Sequence, residues 1–367
     1  MGKNLLIRIF NRISNLLLYI HNVYRVIRDK GHCNVSFLDR IKANLKGFRS
    51  DQWIYYNLSN NDPKEYISDF EWYFTKDINR QYRVIMDNKL IFTEIFSKYL
   101  DVPEVYFYIK NGKLSNFCSN KNLTYEIIEK INKKKNLILK PVIGGEGLNV
   151  HLISKSMMEY KKNLQNNPDL LYFDNQLIDI KKLMSLLSCM DEYIITEFIE
   201  QHNYAEKLYN RTTNTIRLIT LNNPSTGKII IPDAIHRIGR DASFPVDNFS
   251  KGGLSVEIGL DSGCLGRAAS FYNYQGKKLI HLSNHPDTNE HITGITVPYW
   301  DKIKSKLIEI ASKFPYIFFI AWDIVVTEKG FSVIEINRSS GLNIFQIFGG
   351  MRNSNLGDFY RFHQRIK

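Results

Sequence analysis

The sequence predicts an α+β chain: a mainly antiparallel core over residues 137–345 with helices attached, preceded by a helical N-terminal region. Three observations carry this. Before about residue 135 the apolar residues recur mostly at helical spacing. From Leu137 short runs rich in β-branched and aromatic residues alternate with turn residues. Two long apolar runs, TIRLITL and KIIIPDAIHRI, are joined by the turn-rich NNPSTG. With 367 residues and 44% apolar composition, the chain is long enough for two or three small domains or one composite enzyme core.

In chain order, Leu5, Ile9, Ile13, Leu16, Leu17, Ile20, Val23, Tyr24 and Ile27 follow a helical period, with Arg8, Arg12, Arg25 and Arg28 on the remainder. The longest apolar run there, Leu16 to Ile20, is far short of a signal-peptide core or a membrane span. Leu6 stands where the myristoylation pattern needs Ser or Thr. Two readings stay open: peripheral contact with the inner face of an anionic membrane, or packing on the chain itself or on a homodimer partner, which is favoured. Asn61, Asp62 and Pro63 predict a helix start before KEYISDFEWYF. A second helix, NKLIFTEIFSKYL, ends before Val102-Pro103, and the strand EVYFYI follows. Lys133, Lys134 and Lys135 mark a solvated turn. Next come a strand LILK, a GGEG loop, a strand LNVHLI, a helix around LIDIKKLMSLLS and a strand EYIITEFIE. After TIRLITL and KIIIPDAIHRI, residues 247–266 read as glycine-rich with short strands. A helix, YWDKIKSKLIEIASKF, leads to YIFFIAWDIVV, an EKG turn, FSVIEIN and a C-terminal tail. The chain divides into a helical region at 1–84, a linking segment at 85–135, and two units at 136–203 and 204–367.

The formal charge of +12 suits anionic partners such as nucleotides, sugar nucleotides, nucleic acid or an acidic membrane face. Cys33, Cys118, Cys189 and Cys264 are scattered without metal-ligand spacing, so free thiols in a cytoplasmic setting fit better than a zinc site or disulfides.

Four groups of residues carry chemistry. In VIEIN a strand puts Glu335 and Asn337 on one face and turns Ile334 and Ile336 the other way into a core. If this strand pairs with IAWDIVV across the EKG turn, Asp323 joins that face. Three oxygen side chains then converge, as Mg²⁺ requires, unless they are solvated acids on an exposed sheet. In LILKPVIGGEG a strand ends on Lys140, and a glycine loop can bring backbone N–H groups to a phosphate. It has no G-K-[ST] and is not a Walker A loop; a plain glycine hairpin fits as well. YIITEFIEQH is a strand ending in an acid, Glu197. Arg217 and Arg237 lie in apolar strands, where a charge is costly unless paired, so each is a structural ion pair or a clamp for phosphate or carboxylate.

Taken in order, Lys140, Gly144-Gly145-Glu146-Gly147, Glu197, Arg217, Arg237, the DNFSKGG segment and the Asp323…Glu335-x-Asn337 set resemble the ATP-grasp enzymes over roughly residues 85–348. NTIRLIT, VDNFSKGG and the WDI…EIN pairing are similar to the sugar-transfer-associated branch. The resemblance implies an ATP-grasp fold, two α+β subdomains sandwiching ATP, with 136–203 as the small subdomain and 204–367 as the large one carrying the Mg²⁺ site. It implies that Lys140 and Lys89 hold the ATP phosphates, with Gly144, Gly145, Glu146 and Gly147 closing over them. Glu197, Phe198 and Ile199 would line the adenine, with Glu200, His202 and Asn214 as ribose candidates. Asp323, Glu335 and Asn337 would bind one or two Mg²⁺. Arg217, Arg237 and Arg338 would hold the phosphoryl group or the substrate carboxylate. Asn248, Gly252 and Gly253 would belong to the acceptor site.

The implied reaction is ligation of a carboxylate to an amine through an acyl phosphate, with Mg²⁺ and arginines neutralising the repulsion between carboxylate and γ-phosphate. The branch suggests a uronic-acid sugar, free or nucleotide- or lipid-linked, joined to an amino acid in bacterial capsule or O-antigen assembly. His151, His202 and His236 could each act as a base but read more readily as structural or solvated. Two alternatives are an ATP-grasp kinase and a non-enzymatic nucleic-acid-binding protein. The chain lacks clustered basic–aromatic stretches, which argues against a nucleic-acid partner.

Overall fold

In the computed structural model, residues 16–17, 19–28, 35–116, 123–145, 147–155, 169–270 and 279–366 are described. Leu5, Arg8, Ile9, Arg12, Ile13, Cys33, Cys118 and Glu146 lie outside them.

Two antiparallel sheets form the body. The first has seven strands: β1 (Val105–Lys110), β2 (Lys113–Asn116), β3 (Asn136–Pro141), β4 (His151–Ser154), β5 (Leu170–Phe173), β6 (Gln176–Asp179) and β7 (Tyr193–Glu197). Their order is β2-β1-β7-β3-β4-β5-β6. Period-two alternation decides what each face meets. Leu137, Leu139, Ile153 and Ile195 pack with Ile127 and Ile131 of helix Leu123–Lys134 and with Leu183 and Leu187 of helix Ile180–Leu187. Ile138, Lys140 and Thr196, at the alternate positions, line a cleft.

The second sheet has eight strands: β8 (Thr215–Asn222), β9 (Ile229–Ile230), β10 (Ala234–Ile238), β11 (Leu254–Ile258), β12 (Leu265–Ser270), β13 (Ile280–Leu282), β14 (Phe319–Thr327) and β15 (Gly330–Asn337). The order is β13-β12-β11-β10-β8-β14-β15, with β9 beside β8. Both faces are covered. Ile216, Leu218, Ile320, Trp322 and Ile324 pack under helices Lys89–Phe96 and Trp300–Lys313. Ile219, Leu221, Phe319 and Ala321 face the opposite way, under Tyr55, Tyr56, Phe345, Phe359 and Tyr360. That second face is divided along its length. The N- and C-terminal helices cover its Ile219/Phe319 end, and the polar residues Arg217, Asp323 and Glu335 occupy the other.

Several boundaries differ from the sequence expectation. Asp62 caps only a 3₁₀ turn, Pro63–Glu65. The helix proper is Asp69–Thr75, started by a capping box between Ser68 and Glu71. Lys133 and Lys134 close a helix, and only Lys135, at φ 69°, makes the turn. The strand expected at LNVHLI begins only at His151. Gln176–Asp179 pairs as a strand before its helix. KIIIPDAIHRI splits into β9 and β10 around Pro232, which has no N–H for the ladder. The C-terminal tail holds two helices, Asn343–Gln346 and Asn355–Phe362.

Candidate active site

The cleft between the sheets has a volume of about 820 Å³, near the upper end for a ligand pocket. Strand register builds its floor. Asp323 on β14 pairs with Arg217 on β8 and with Glu335 on β15. The three side chains therefore stand in one row across three strands. Asn337 follows two residues along, and its Nδ2 lies 3.4 Å from Asp323 Oδ2. A bulge between the Asp323 and Ile324 pairs leaves Ile334 without a partner across the ladder. Ile334 consequently lines the cleft instead of the core, and Val333 and Ile336 make the core contacts.

The floor's charges are paired. Arg217 donates from Nε to Asp323 Oδ1, from Nη2 to Asp323 Oδ2 at 2.9 Å and from Nη1 to Ser340 Oγ at 3.0 Å. Arg237 donates to Asp247 Oδ1 at 2.9 Å and to Thr215 Oγ1 at 3.0 Å, and lies 3.9 Å from Asp323. Burial alone would raise the Asp323 pKa; Arg217 and Arg237 outweigh it and hold the carboxyl below its usual range. For Asp247 burial wins and its pKa is raised. Arg338 sits at the rim, 3.3 Å from Asp87 and donating to the Lys76 carbonyl at 3.0 Å.

The facing wall comes from the first sheet and the helix at Lys89. Lys89 Nζ donates to the Gly144 carbonyl at 2.7 Å and lies 3.5 Å from Glu335. One ammonium thus ties the glycine loop to the carboxylate row. Lys140 projects from the end of β3. Burial pushes its pKa down to about 8, the nearby Lys89 charge adds to this, and Glu335 opposes it. Gly147, at φ 61°, is so close to the next segment that a Cβ would lie 2.6 Å from Val246 and 3.1 Å from Asn248. Lys251 reaches its carbonyl at 3.5 Å. The glycine loop therefore rests against residues 246–251.

At one end of the cleft Met86, Pro103, Ile138, Phe198, Ile199 and Ile334 form an apolar slot beside Glu197. Glu197 is itself bound to Lys134 at 2.9 Å. Toward Ser340 the cleft is walled by Gln52, Tyr56, Trp72 and Lys76 from the N-terminal helices, which bound a chamber there. Trp72 donates its indole N–H to the Ser340 carbonyl at 2.7 Å, one residue's breadth from the Arg217 contact. Lys76 Nζ lies 4.1 Å from the centre of that indole. Gln52 is 1% exposed, and its Oε1 has no hydrogen-bond partner. A buried acceptor without a donor is rare, and Gln52 belongs to the cleft lining.

The structure brings Lys89, Lys140, Gly144, Gly145, Gly147, Glu197, Phe198, Ile199, Arg217, Arg237, Asn248, Asp323, Glu335, Asn337 and Arg338 to this cleft. It does not bring Glu200, His202, Asn214, Gly252 or Gly253 to its lining. Glu200 is exposed on the surface. His202 caps helix Asn203–Leu208 through Nδ1. Asn214 is buried with its amide saturated by Ala205, Tyr209, Thr212 and Gly239. Gly252 ends the 3₁₀ turn Phe249–Lys251, and Gly253 is pressed against the Asp247 carbonyl, where a Cβ would lie 2.5 Å away. Of the three candidate bases, His236 is fully buried between Tyr204 and the Arg237 carbonyl, and burial pushes its pKa down to about 4. The sequence reading missed Ile138 and Met86, and the chamber residues Gln52, Tyr56, Trp72 and Lys76. Ile138 was accessible to it, being two residues from Lys140 on the same strand face.

The donor chemistry fits a hard divalent cation that shares its ligands with phosphates. Asp323, Glu335 and Asn337 offer oxygens in adjacent places. Among the described residues no cluster of three His, Cys, Asp or Glu forms a closed cage. Mg²⁺ is ordinarily held by one or two carboxylates together with nucleotide oxygens and water.

The family model described as sugar-transfer associated ATP-grasp matches residues 70–355. No curated protein matches the chain. Among solved structures, N5-carboxyaminoimidazole ribonucleotide synthetase from Thermotoga maritima is 12% identical with a TM-score of 0.35, covering 72% of this chain and 44% of that one. D-alanyl-alanine synthetase A from Vibrio cholerae is 10% identical with a TM-score of 0.37, covering 69% and 55%. The biotin carboxylase domain of Hydrogenobacter thermophilus 2-oxoglutarate carboxylase, solved with MgADP, is 12% identical with a TM-score of 0.38, covering 71% and 42%. The chain spans about half the length of these structures. By the family match, which takes in most of its length, the chain belongs to the sugar-transfer-associated ATP-grasp family.

Proposed function

We propose that this family member is an ATP-dependent carboxylate–amine ligase that joins an amino acid to a uronic-acid sugar. The sugar would be free or carried on a nucleotide or lipid, and the product would enter bacterial capsule or O-antigen assembly in the cytoplasm or at the inner membrane face. The single observation that carries the reading is the row Glu335–Asp323–Arg217 facing Lys89 and Lys140, with a partly aromatic chamber opening beside it.

The adenine occupies the apolar slot, with the strand end at Glu197–Ile199 beside its edge. Lys140, Lys89 and the N–H groups of Gly144, Gly145 and Gly147 face the phosphates. Asp323, Glu335 and Asn337 would hold one or two Mg²⁺, which when bound offsets the charge between the phosphates and the incoming carboxylate. Arg217 is locked onto Asp323 and positions that carboxylate. Arg237 and Arg338, at the mouth of the chamber, receive the substrate carboxylate or the transferred phosphoryl group. Asn248 and Lys251 close the same side. Trp72 would offer its ring to the apolar face of a sugar and Gln52 its amide oxygen to a hydroxyl, with Tyr56 packed behind them on Tyr66.

The test is ADP release with Mg-ATP, a set of uronic-acid sugars and a panel of amino acids. Release that needs both partners, with an amide in the product mass, supports the ligase. A stable phosphosugar formed without amine replaces it with a kinase.

A further inference from the structure

Large apolar side chains that stay in water are concentrated at one place on this molecule. Of the nineteen strongly exposed ones among the described residues, ten fall within residues 16–45. Leu16, Leu17, Ile20, Tyr24 and Ile27 share one face of the helical residues described at 16–17 and 19–28, of which Asn22 and Val26 are the buried ones. Phe37, Leu38, Ile41 and Leu45 share one face of helix Phe37–Leu45, where Phe37 is 75% and Leu45 82% exposed and Ala43 alone is buried. The two segments are joined: Arg40 donates to the Ile27 carbonyl at 3.0 Å and Asn44 to the Val26 carbonyl at 3.3 Å. A monomer rarely leaves large apolar side chains clustered in water without an occupant.

We propose that these two helices form a single surface that rests on an anionic lipid bilayer. No helix among the described residues is long and apolar enough to cross a membrane, so the chain would lie in the interface with its apolar side chains among the acyl chains. Charge selects the occupant. The described residues of 16–46 hold Arg25, Arg28, Arg40, Lys42 and Lys46 against Asp39 alone. Arg28, Lys42 and Lys46 are exposed beside the apolar faces. A second copy docked on the same surface by a twofold axis would bring this excess against its own kind. Anionic headgroups neutralise it. The surface continues directly into the cleft wall, since Gly47 packs on Phe70 and Ser68 two and four residues short of Trp72. The inference stands apart from the ligase reading, because binding is read without turnover.

The test floats the purified full chain with phosphatidylcholine vesicles, with and without phosphatidylglycerol. The wild type should partition at least about tenfold more strongly to the anionic vesicles. Leu38→Glu with Leu45→Glu should lose about tenfold or more of that binding, while ADP affinity and circular dichroism stay unchanged. Lys42→Glu with Lys46→Glu should lose the preference for anionic lipid. Equal partition of wild type and both variants overturns the proposal. So does a wild type that ignores vesicles and forms a dimer, by light scattering, which Leu38→Glu with Leu45→Glu dissolves; the face would then belong to a second copy.

Discussion

Lys140 sits in surroundings that oppose its charge. Burial holds its pKa at about 8, below the ordinary lysine value. Bound polyphosphate favours the ammonium and raises that pKa again. Nucleotide binding should therefore take up a proton in the interval above pH 8, and affinity should fall as pH rises through it. Calorimetry of ADP binding in buffers of different ionisation enthalpy measures the uptake, and Lys140→Met should abolish it; persistence in the variant would remove Lys140 from the phosphate site. Gln52 gives a second prediction. Gln52→Leu keeps the volume and removes a buried acceptor that has no donor, so stability should hold or rise. The KM for the sugar should rise about tenfold, the worth of one hydrogen bond, with ADP affinity unchanged. Asn214 behaves oppositely. Its amide makes four hydrogen bonds within the fold, so Asn214→Ala should cost about 3 kcal/mol in denaturant unfolding and leave the ADP Kd of the folded protein alone. A ribose contact would reverse that pattern.

Among the elements, the strands were legible because alternation is local. TIRLITL states in its own seven residues that Arg217 shares a face with Ile219, and IAWDIVV and VIEIN do the same for Asp323, Glu335 and Asn337. Pairing those strands brings the row together, and the EKG turn declares that pairing. The bulge at Ile334 was not legible, since it depends on how two strands accommodate one another. Nor was the wall formed by the N-terminal helices. Their contacts to the rest of the fold span hundreds of residues, as from Trp72 to Ser340 at the site and, away from it, from Asn79 to Phe319 and Arg352 to Glu71, and no local pattern encodes such a pairing. Helix Asp69–Thr75 is the element that presents Trp72, and its start rests on the Ser68–Glu71 capping box. Ser68→Ala should therefore cost about 1 kcal/mol in unfolding free energy. It should also raise the KM for the sugar more than that for ATP in steady-state assays. Equal effects on both would detach this helix from the sugar chamber.

For the whole molecule, the described ties across the cleft include Lys89, to Gly144 and Glu335 through its side chain and to the Val142 carbonyl through its N–H, and Lys251 and Val246 against Gly147. A nucleotide spanning both sheets would add to these ties, and ligand that binds only the folded state stabilises it by mass action. At a hundredfold excess over Kd the gain is about 2.7 kcal/mol. If the carboxylate row carries the metal, this gain should be largest with Mg²⁺ and ADP together and shrink when EDTA is added. Asp323→Asn is a poor probe of that claim, because leaving Arg217 buried opposite a neutral amide is itself destabilising by about 3–5 kcal/mol. Glu335→Gln separates the two effects. Glu335 is only half-buried and its contact with Lys89 is 3.5 Å, so the variant should fold with near wild-type stability. Its stabilisation by ADP should then be the same with Mg²⁺ as with EDTA, read as the shift in Tm at fixed ligand excess. An undiminished Mg²⁺-dependent shift in Glu335→Gln would move the metal off this row, and with it the ordering of phosphates and carboxylate on which the ligase reading depends.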